Sequence, residues 1–169
     1  MTTTPAGLSR IRGQAPNAAQ AGTDCGSGRY LRETMNNEQL IAEAAQARLK
    51  AYTPYSNFKV GAALLTSDGK VFHGCNVENA SYGLCNCAER TAFFSAIAHG
   101  YKPGDFDKLA VIGETDGPIA PCGACRQVTL ELGGNELPVV LANLKGDVFE
   151  TTAAAQLPNA FGGADLKKK

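Results

Sequence analysis

Two short stretches hold most of the residues able to do chemistry: "CNCAERTA" at residues 85–92 and "APCGACRQV" at residues 120–128. Cys122 and Cys125 have the two-residue spacing that lets thiolates at a helix start converge on one tetrahedral ion. Cys87 stands at the start of the preceding helix and can meet them if the two helix N-termini lie side by side. Three protein ligands leave one zinc position open for water. Glu89, two residues beyond Cys87, has a role that needs a carboxylate but no metal bond: taking a proton from activated water and delivering it to a substrate. Cys85 falls outside the helix start and is expected to be neither ligand nor catalyst.

This arrangement carries an electrostatic cost. Three thiolates and Zn²⁺ sum to 3 × (−1) + 2 = −1, which opposes deprotonation of a bound water. Two helix N-termini with unpaired N–H groups offset the excess, and Arg90 is placed in sequence to donate to the sulfurs. The residues alone leave other readings open. A lone C-x₂-C also marks structural zinc or a redox pair, and Cys85 could join the other three in a closed Cys₄ site, although C-x-C is a tight ligand spacing.

Two helices and the strands between them must position these groups. "NNEQLIAEAAQARLKAY" (36–52) opens with capping residues and reads as an amphipathic helix with Leu40, Ile41, Ala44, Ala45 and Leu49 along one face. "FKVGAALLT" and "KVFHGCNV" flank "SDGK", predicting an antiparallel hairpin over residues 58–76. "CAERTAFFSAIAHG" predicts a helix closed by Gly100, with Phe93, Phe94 and Ile97 for the core. A third helix is expected from near Cys122 to Gly133, between the buried strands "KLAVIGE" and "LPVVLAN". "GDVFET" should return as an edge strand, and "AAAQLP" as a short last helix. Strand, helix and strand in alternation imply parallel pairing with right-handed crossovers. The expected architecture is a three-layer α/β/α sandwich with a mixed sheet of about five strands.

Composition narrows the function. The 169 residues suit one domain, and 16 Lys plus Arg balance 16 Asp plus Glu, leaving no net field to hold a polyanion. A nucleic-acid partner is therefore not expected. No stretch approaches the length of a bilayer span, so no membrane association and a cytoplasmic location are expected. Clustered cysteines in such a chain bind metal or catalyse more often than they form a disulfide framework. Residues 1–34 lack a sustained hydrophobic period and carry four Arg against Asp24 and Glu33, reading as a disordered extension or leader ahead of a catalytic domain at 35–169. Cys25 is read as a spectator thiol, Cys75 as a small buried hydrophobe, and His99 as a partner for a helix C-terminus.

A glutamate near the first zinc ligand, followed by P-C-x-x-C, is the signature of zinc deaminases, here with Cys87 where many have His. Beyond it, "YSNFKVGAALLTSDGKVFHGCNVENASYGLCNCAERTAFFSAI", "APCGACRQV" and "LPNAFGGADL" closely resemble the small cytidine deaminases with three cysteine ligands. The resemblance implies the cytidine deaminase fold and hydrolysis of cytidine and deoxycytidine to uridine and deoxyuridine in pyrimidine salvage. It implies one Zn²⁺ per subunit, with a bound water or hydroxide as nucleophile. It further implies a homotetramer whose active sites are shared between subunits. By the same resemblance Phe58 packs on the pyrimidine, Asn76 and Glu78 hydrogen-bond the ribose 3′-hydroxyl, the backbone at Ala88 helps hold the base, and Phe161 closes a neighbouring subunit's pocket. A related aminopyrimidine-nucleoside deaminase, a nucleic-acid-editing protein and a noncatalytic zinc module are the competing readings.

Overall fold

The computed structural model describes residues 35–163 and 165–166. The expectations for residues 1–34, Cys25 among them, lie outside the described residues.

The first helix, α1 (Asn37–Arg48), starts where the sequence places its cap. Asn36 Oδ1 accepts from the Gln39 amide and Gln39 Oε1 accepts from the Asn36 amide, both at 2.9 Å. This reciprocal pair satisfies two donors that a helix start leaves open. Strands β1 (Val60–Thr66) and β2 (Val71–Cys75) then form the predicted antiparallel hairpin, which turns through Gly69 at φ +88°. Helix α2 (Ala88–Ala98), strand β3 (Phe106–Gly113), helix α3 (Gly123–Gly133), strands β4 (Pro138–Asn143) and β5 (Val148–Thr152), and the short α4 (Ala153–Gln156) follow.

The five strands form one sheet in the order β2-β1-β3-β4-β5. β1 is antiparallel to both neighbours, β3 and β4 are parallel, and β5 returns antiparallel at the edge. Parallel pairing across a helix thus holds for β3–α3–β4. Strands β2 and β3, joined through α2, run in the same direction but with β1 between them.

All seven residues of β1 are buried because the sheet is covered on both faces. Ala63, Leu65, Ala110, Ile112 and Val140 meet Leu40 and Ala44 of α1 on one side. Ala62, Leu64, Leu109, Val111 and Val139 meet Ala88, Ala92, Phe93 and Ala96 of α2 on the other. The three layers are those predicted.

Both helices lie unusually close to the sheet, at two glycines. A Cβ on Gly61 would stand 2.0 Å from the Ala44 carbonyl oxygen, and one on Gly74 would stand 2.0 Å from that of Ala88. Neither contact is tolerable, so glycine at these points lets helix backbone touch strand backbone. The closeness selects which face of α2 turns inward. Its alanines and Phe93 pack on the strands, while Phe94 and Ile97, expected in the core, are exposed. Leu49, expected on the inner face of α1, is exposed just past its end. Cys75 is half-buried rather than a core residue, with its thiol 3.4 Å from the Lys50 carbonyl. His99 behaves as expected at the end of α2, its Nδ1 lying 2.8 Å from the Ser95 carbonyl oxygen.

Candidate active site

Cys87 is the N-cap residue of α2 and Cys122 that of α3, and neither side chain caps its own helix. Ordinarily an N-cap side chain accepts from the amides of the first turn. Here both sulfurs are left free to face each other, 3.8 Å apart. Cys125, three residues into α3 and fully buried, brings the third sulfur, and all three lie within 4.8 Å of one another. N-cap and third helical position are neighbours at a helix start, which is why a two-residue gap converges two thiols.

The spacing fits zinc. A tetrahedral ion with Zn–S bonds of about 2.3 Å holds its sulfurs about 3.8 Å apart. The Cys87–Cys122 separation meets that value. Cys85 does not join them: its sulfur accepts from the Asn79 amide at 3.3 Å and faces the Asn79 carbonyl at 3.6 Å. Among the described residues the cluster is three sulfurs, not four, and Cys122 is the exposed member through which a further ligand can approach.

Charge is prepared for a cation. Hydrogen bonds from the Cys125 thiol, from Arg90 and from Cys122 draw the Cys87 thiol down to about 5. Cys125 moves the opposite way, because it holds the proton it shares with Cys87 and is itself buried. A divalent ion replaces such shared protons. Arg90 Nη2 lies 3.5 Å from Cys87 Sγ and 3.3 Å from the Cys85 carbonyl oxygen, the donor position expected of it.

Glu89 is the second residue of α2 and only 4 % exposed. Burial, with the Cys87 thiolate nearby, holds its carboxyl above the usual carboxylate range. A buried carboxyl whose proton affinity is raised in this way is better suited to accept and return a proton than an exposed one.

Backbone pairing brings the segment carrying Asn76 and Glu78 to the Cys87 end of the site. Val77 exchanges two hydrogen bonds with Asn86, at 2.9 and 3.0 Å, so Asn76 and Glu78 flank a residue tied to the one preceding Cys87. Asn76 donates to the Phe58 carbonyl and accepts from the Val60 amide, both at 2.8 Å, and so holds the chain that carries Phe58. The Phe58 ring is exposed. Ala88 is fully buried, with its carbonyl against Gly74. Phe161 is not brought to the thiols of its own chain. Its carbonyl accepts from Gln127 Nε2 at 2.8 Å, and its ring is 61 % exposed beside a hollow of about 350 Å³ lined by Phe94, Val128, Leu132 and Leu166.

Supporting residues escaped the sequence reading. Thr91 Oγ1 donates to the Cys87 carbonyl at 3.1 Å and accepts from Asn86 Nδ2 at 3.0 Å. Arg126 Nε donates to the Pro121 carbonyl at 2.9 Å and Nη1 to that of Gln156 at 3.1 Å, which fixes the turn into Cys122. Ser56 and the Tyr55 amide bind the Glu78 carboxylate. Only an unspaced polar residue beside each motif signals these contacts in sequence.

Three converging thiols with an approachable side, a cation-bearing donor and a buried carboxyl on a mixed-sheet sandwich define a zinc-dependent hydrolase. Residues 34–141 match the family described as the cytidine and deoxycytidylate deaminase zinc-binding region. The chain belongs to that family. It is 56 % identical to the cytidine deaminase of Sporosarcina psychrophila over 78 % of this chain and 96 % of the relative. It is 45 % identical to a probable cytidine deaminase of Dictyostelium discoideum over 80 % of this chain and 92 % of the relative. The crystal structure of cytidine deaminase from Burkholderia pseudomallei superposes with a TM-score of 0.75 at 70 % identity, covering 75 % of this chain and all of that one. That of Mycobacterium tuberculosis gives 0.64 at 42 % identity over 74 % and 96 %.

Proposed function

We propose that this chain hydrolyses cytidine and deoxycytidine to uridine and deoxyuridine with release of ammonia, in pyrimidine nucleoside salvage. The observation that carries the reading is the pairing of a zinc-spaced thiol triad with buried Glu89 at one helix start, in a chain whose near relatives are named cytidine deaminases.

Cys87, Cys122 and Cys125 would hold the zinc. When bound, zinc acts as a Lewis acid that lowers the pKa of a coordinated water towards about 7. Glu89 takes the proton that the water loses and delivers it to N3 of the pyrimidine as oxygen adds to C4. It then takes the remaining proton from the new C4 hydroxyl and passes it to the amine as the C4–N bond breaks and the carbonyl forms, so water and cytidine become ammonia and uridine with Glu89 returned to its starting state. Phe58 stacks on the base, Asn76 and Glu78 receive the ribose 3′-hydroxyl, and backbone at Ala88 meets the base edge. Arg90 moderates the charge on the sulfurs. Glu78 also favours a free nucleoside over a polymer, because an esterified 3′-oxygen has no proton to give it.

Two further features extend this reading. Phe161, exposed and away from its own chain's thiols, closes the pocket of a neighbouring subunit in a homotetramer. The site needs reduced thiols, and no helix among the described residues is long and apolar enough to cross a membrane, so the cytoplasm suits the chemistry. Residues 35–169 form the catalytic part.

The test is loss of cytidine ultraviolet absorbance on adding the zinc-loaded protein, with Glu89→Gln beside it. Turnover by the wild type is expected to fall by at least about 10²–10⁴-fold in the variant while zinc is retained. An inactive wild type with full zinc would overturn the substrate assignment. An active Glu89→Gln variant would overturn the proton-shuttle role.

A further inference from the structure

The segment Thr53–Asn57 makes a single helical turn between α1 and β1. The Asn57 amide donates to the Thr53 carbonyl at 3.1 Å, and Asn57 ends the turn at φ +57°. A turn of this kind leaves its first amides without internal partners. Those amides belong to Tyr55 and Ser56, and both donate to Glu78 Oε2, at 2.9 and 3.2 Å. The Ser56 hydroxyl donates to the other carboxylate oxygen, Oε1. That hydroxyl also accepts from the Phe58 amide at 3.0 Å. One exposed serine therefore binds Glu78 on one side and the backbone of Phe58 on the other.

A carboxylate offers about four acceptor positions over its two oxygens. Three are taken by Tyr55 and Ser56, which leaves Glu78 Oε1 with room for one further donor. The serine hydroxyl decides which direction that remaining position faces. Without it, Oε1 is held only through Oε2 and the carboxylate can swing about its last torsion. These hydrogen bonds, the Ser56 hydroxyl foremost, hold the Glu78 carboxyl below the usual carboxylate range, so it stays an acceptor at working pH.

We propose that Ser56 is a positioning residue for nucleoside recognition, aiming the free acceptor of Glu78 at the ribose 3′-hydroxyl and fixing it relative to Phe58. This rests on the ribose role given to Glu78 above. Ser56 touches neither the reacting atoms nor the thiols. Its effect passes through Glu78 and appears in substrate binding, not in the chemical step.

The test uses the zinc-loaded full-length protein, the variants Ser56→Ala and Ser56→Thr, and two substrates, cytidine and 3′-deoxycytidine. Ser56→Ala is expected to raise KM for cytidine by about tenfold, the worth of one charge-assisted hydrogen bond, with kcat changed by less than about twofold. On 3′-deoxycytidine, which gives Glu78 nothing to accept, Ser56→Ala and wild type should differ by no more than about threefold. Ser56→Thr keeps the hydroxyl at an exposed position and should restore KM for cytidine. Equal losses on both substrates would overturn the proposal, as would an unchanged KM or a loss confined to kcat. A separate readout needs no turnover: the Glu78 carboxyl, followed by carbon-13 NMR, should titrate at higher pH in Ser56→Ala than in wild type. A carboxyl that does not move shows that Ser56 does not hold Glu78. A wild type inactive on cytidine beside a shifted carboxyl would instead overturn the ribose role and leave the pairing standing.

Discussion

Arg90 Nη2 reaches the Cys87 sulfur and the Cys85 carbonyl oxygen together, while its Nε is buried without a hydrogen-bond partner. A half-buried guanidinium keeps one nitrogen unsatisfied only if its charge is well placed elsewhere. The compensating partner is the thiol cluster, whose charge with zinc is one unit negative. The hydrogen bonds it donates to the Cys87 and Cys125 sulfurs hold the guanidinium even more firmly protonated than usual. Replacing Arg90 with Ala should lower zinc affinity by about 10–100-fold, the usual weight of a group supporting a metal ligand. Arg90→Lys should recover only part of this, because an ammonium cannot reproduce the planar fork that spans sulfur and carbonyl. Competition with a chromogenic chelator measures both; affinities equal to wild type would place Arg90 outside the metal's charge balance.

Glu89, Cys87 and the contact at Gly74 all sit on the first turn of α2. The Ala88 carbonyl rests where a Cβ on Gly74 would be, and the Ala92 amide would stand 2.6 Å from the same Cβ. Gly74→Ala must therefore lift the part of the helix that carries the metal ligand and the proton shuttle. We expect it to cost about 3 kcal/mol in denaturant unfolding and to weaken zinc binding as well. Gly69→Ala in the hairpin turn is the contrast: it is strained by a φ of +88° but meets nothing within 4 Å. It should cost about 1 kcal/mol and leave zinc affinity alone. Equal zinc affinity in both variants would show that this contact does not position the site. The same contact explains what could be read in advance. Caps, the Asp-Gly turn and the cysteine spacing are local signals, and they located α1, the hairpin and the convergence of Cys87, Cys122 and Cys125. Which side of α2 turns inward is not local. Phe93 and Phe94 are equally apolar, and the choice between them is made by Gly74 on another strand, which admits only the alanine-rich face. Ser56 was hidden for a like reason, since its partner Glu78 lies 22 residues away and meets it only once the hairpin closes.

At the scale of the whole molecule, the chain carries a thiol cluster and, apart from it, the exposed Phe161. The Phe161 carbonyl is tied to Gln127 on α3, and the ring stands in solvent. If that ring closes the pocket of another subunit, a site needs two intact chains: one for Cys87, Cys122, Cys125 and Glu89, the other for Phe161. Glu89→Gln spoils the first contribution and leaves the second; Phe161→Ala does the reverse. Each variant alone should be impaired, the first in kcat and the second in KM for cytidine. Unfolded together in equal amounts and reassembled, they form hybrids in which about one site in four has an intact centre from one chain and an intact aromatic from the other. Such a mixture should show a component with wild-type KM at roughly a quarter of the wild-type maximal rate, beside a component of similar size that keeps the raised KM of Phe161→Ala. A mixture that shows the raised KM alone would mean that no aromatic crosses between subunits, and that each chain closes its own pocket.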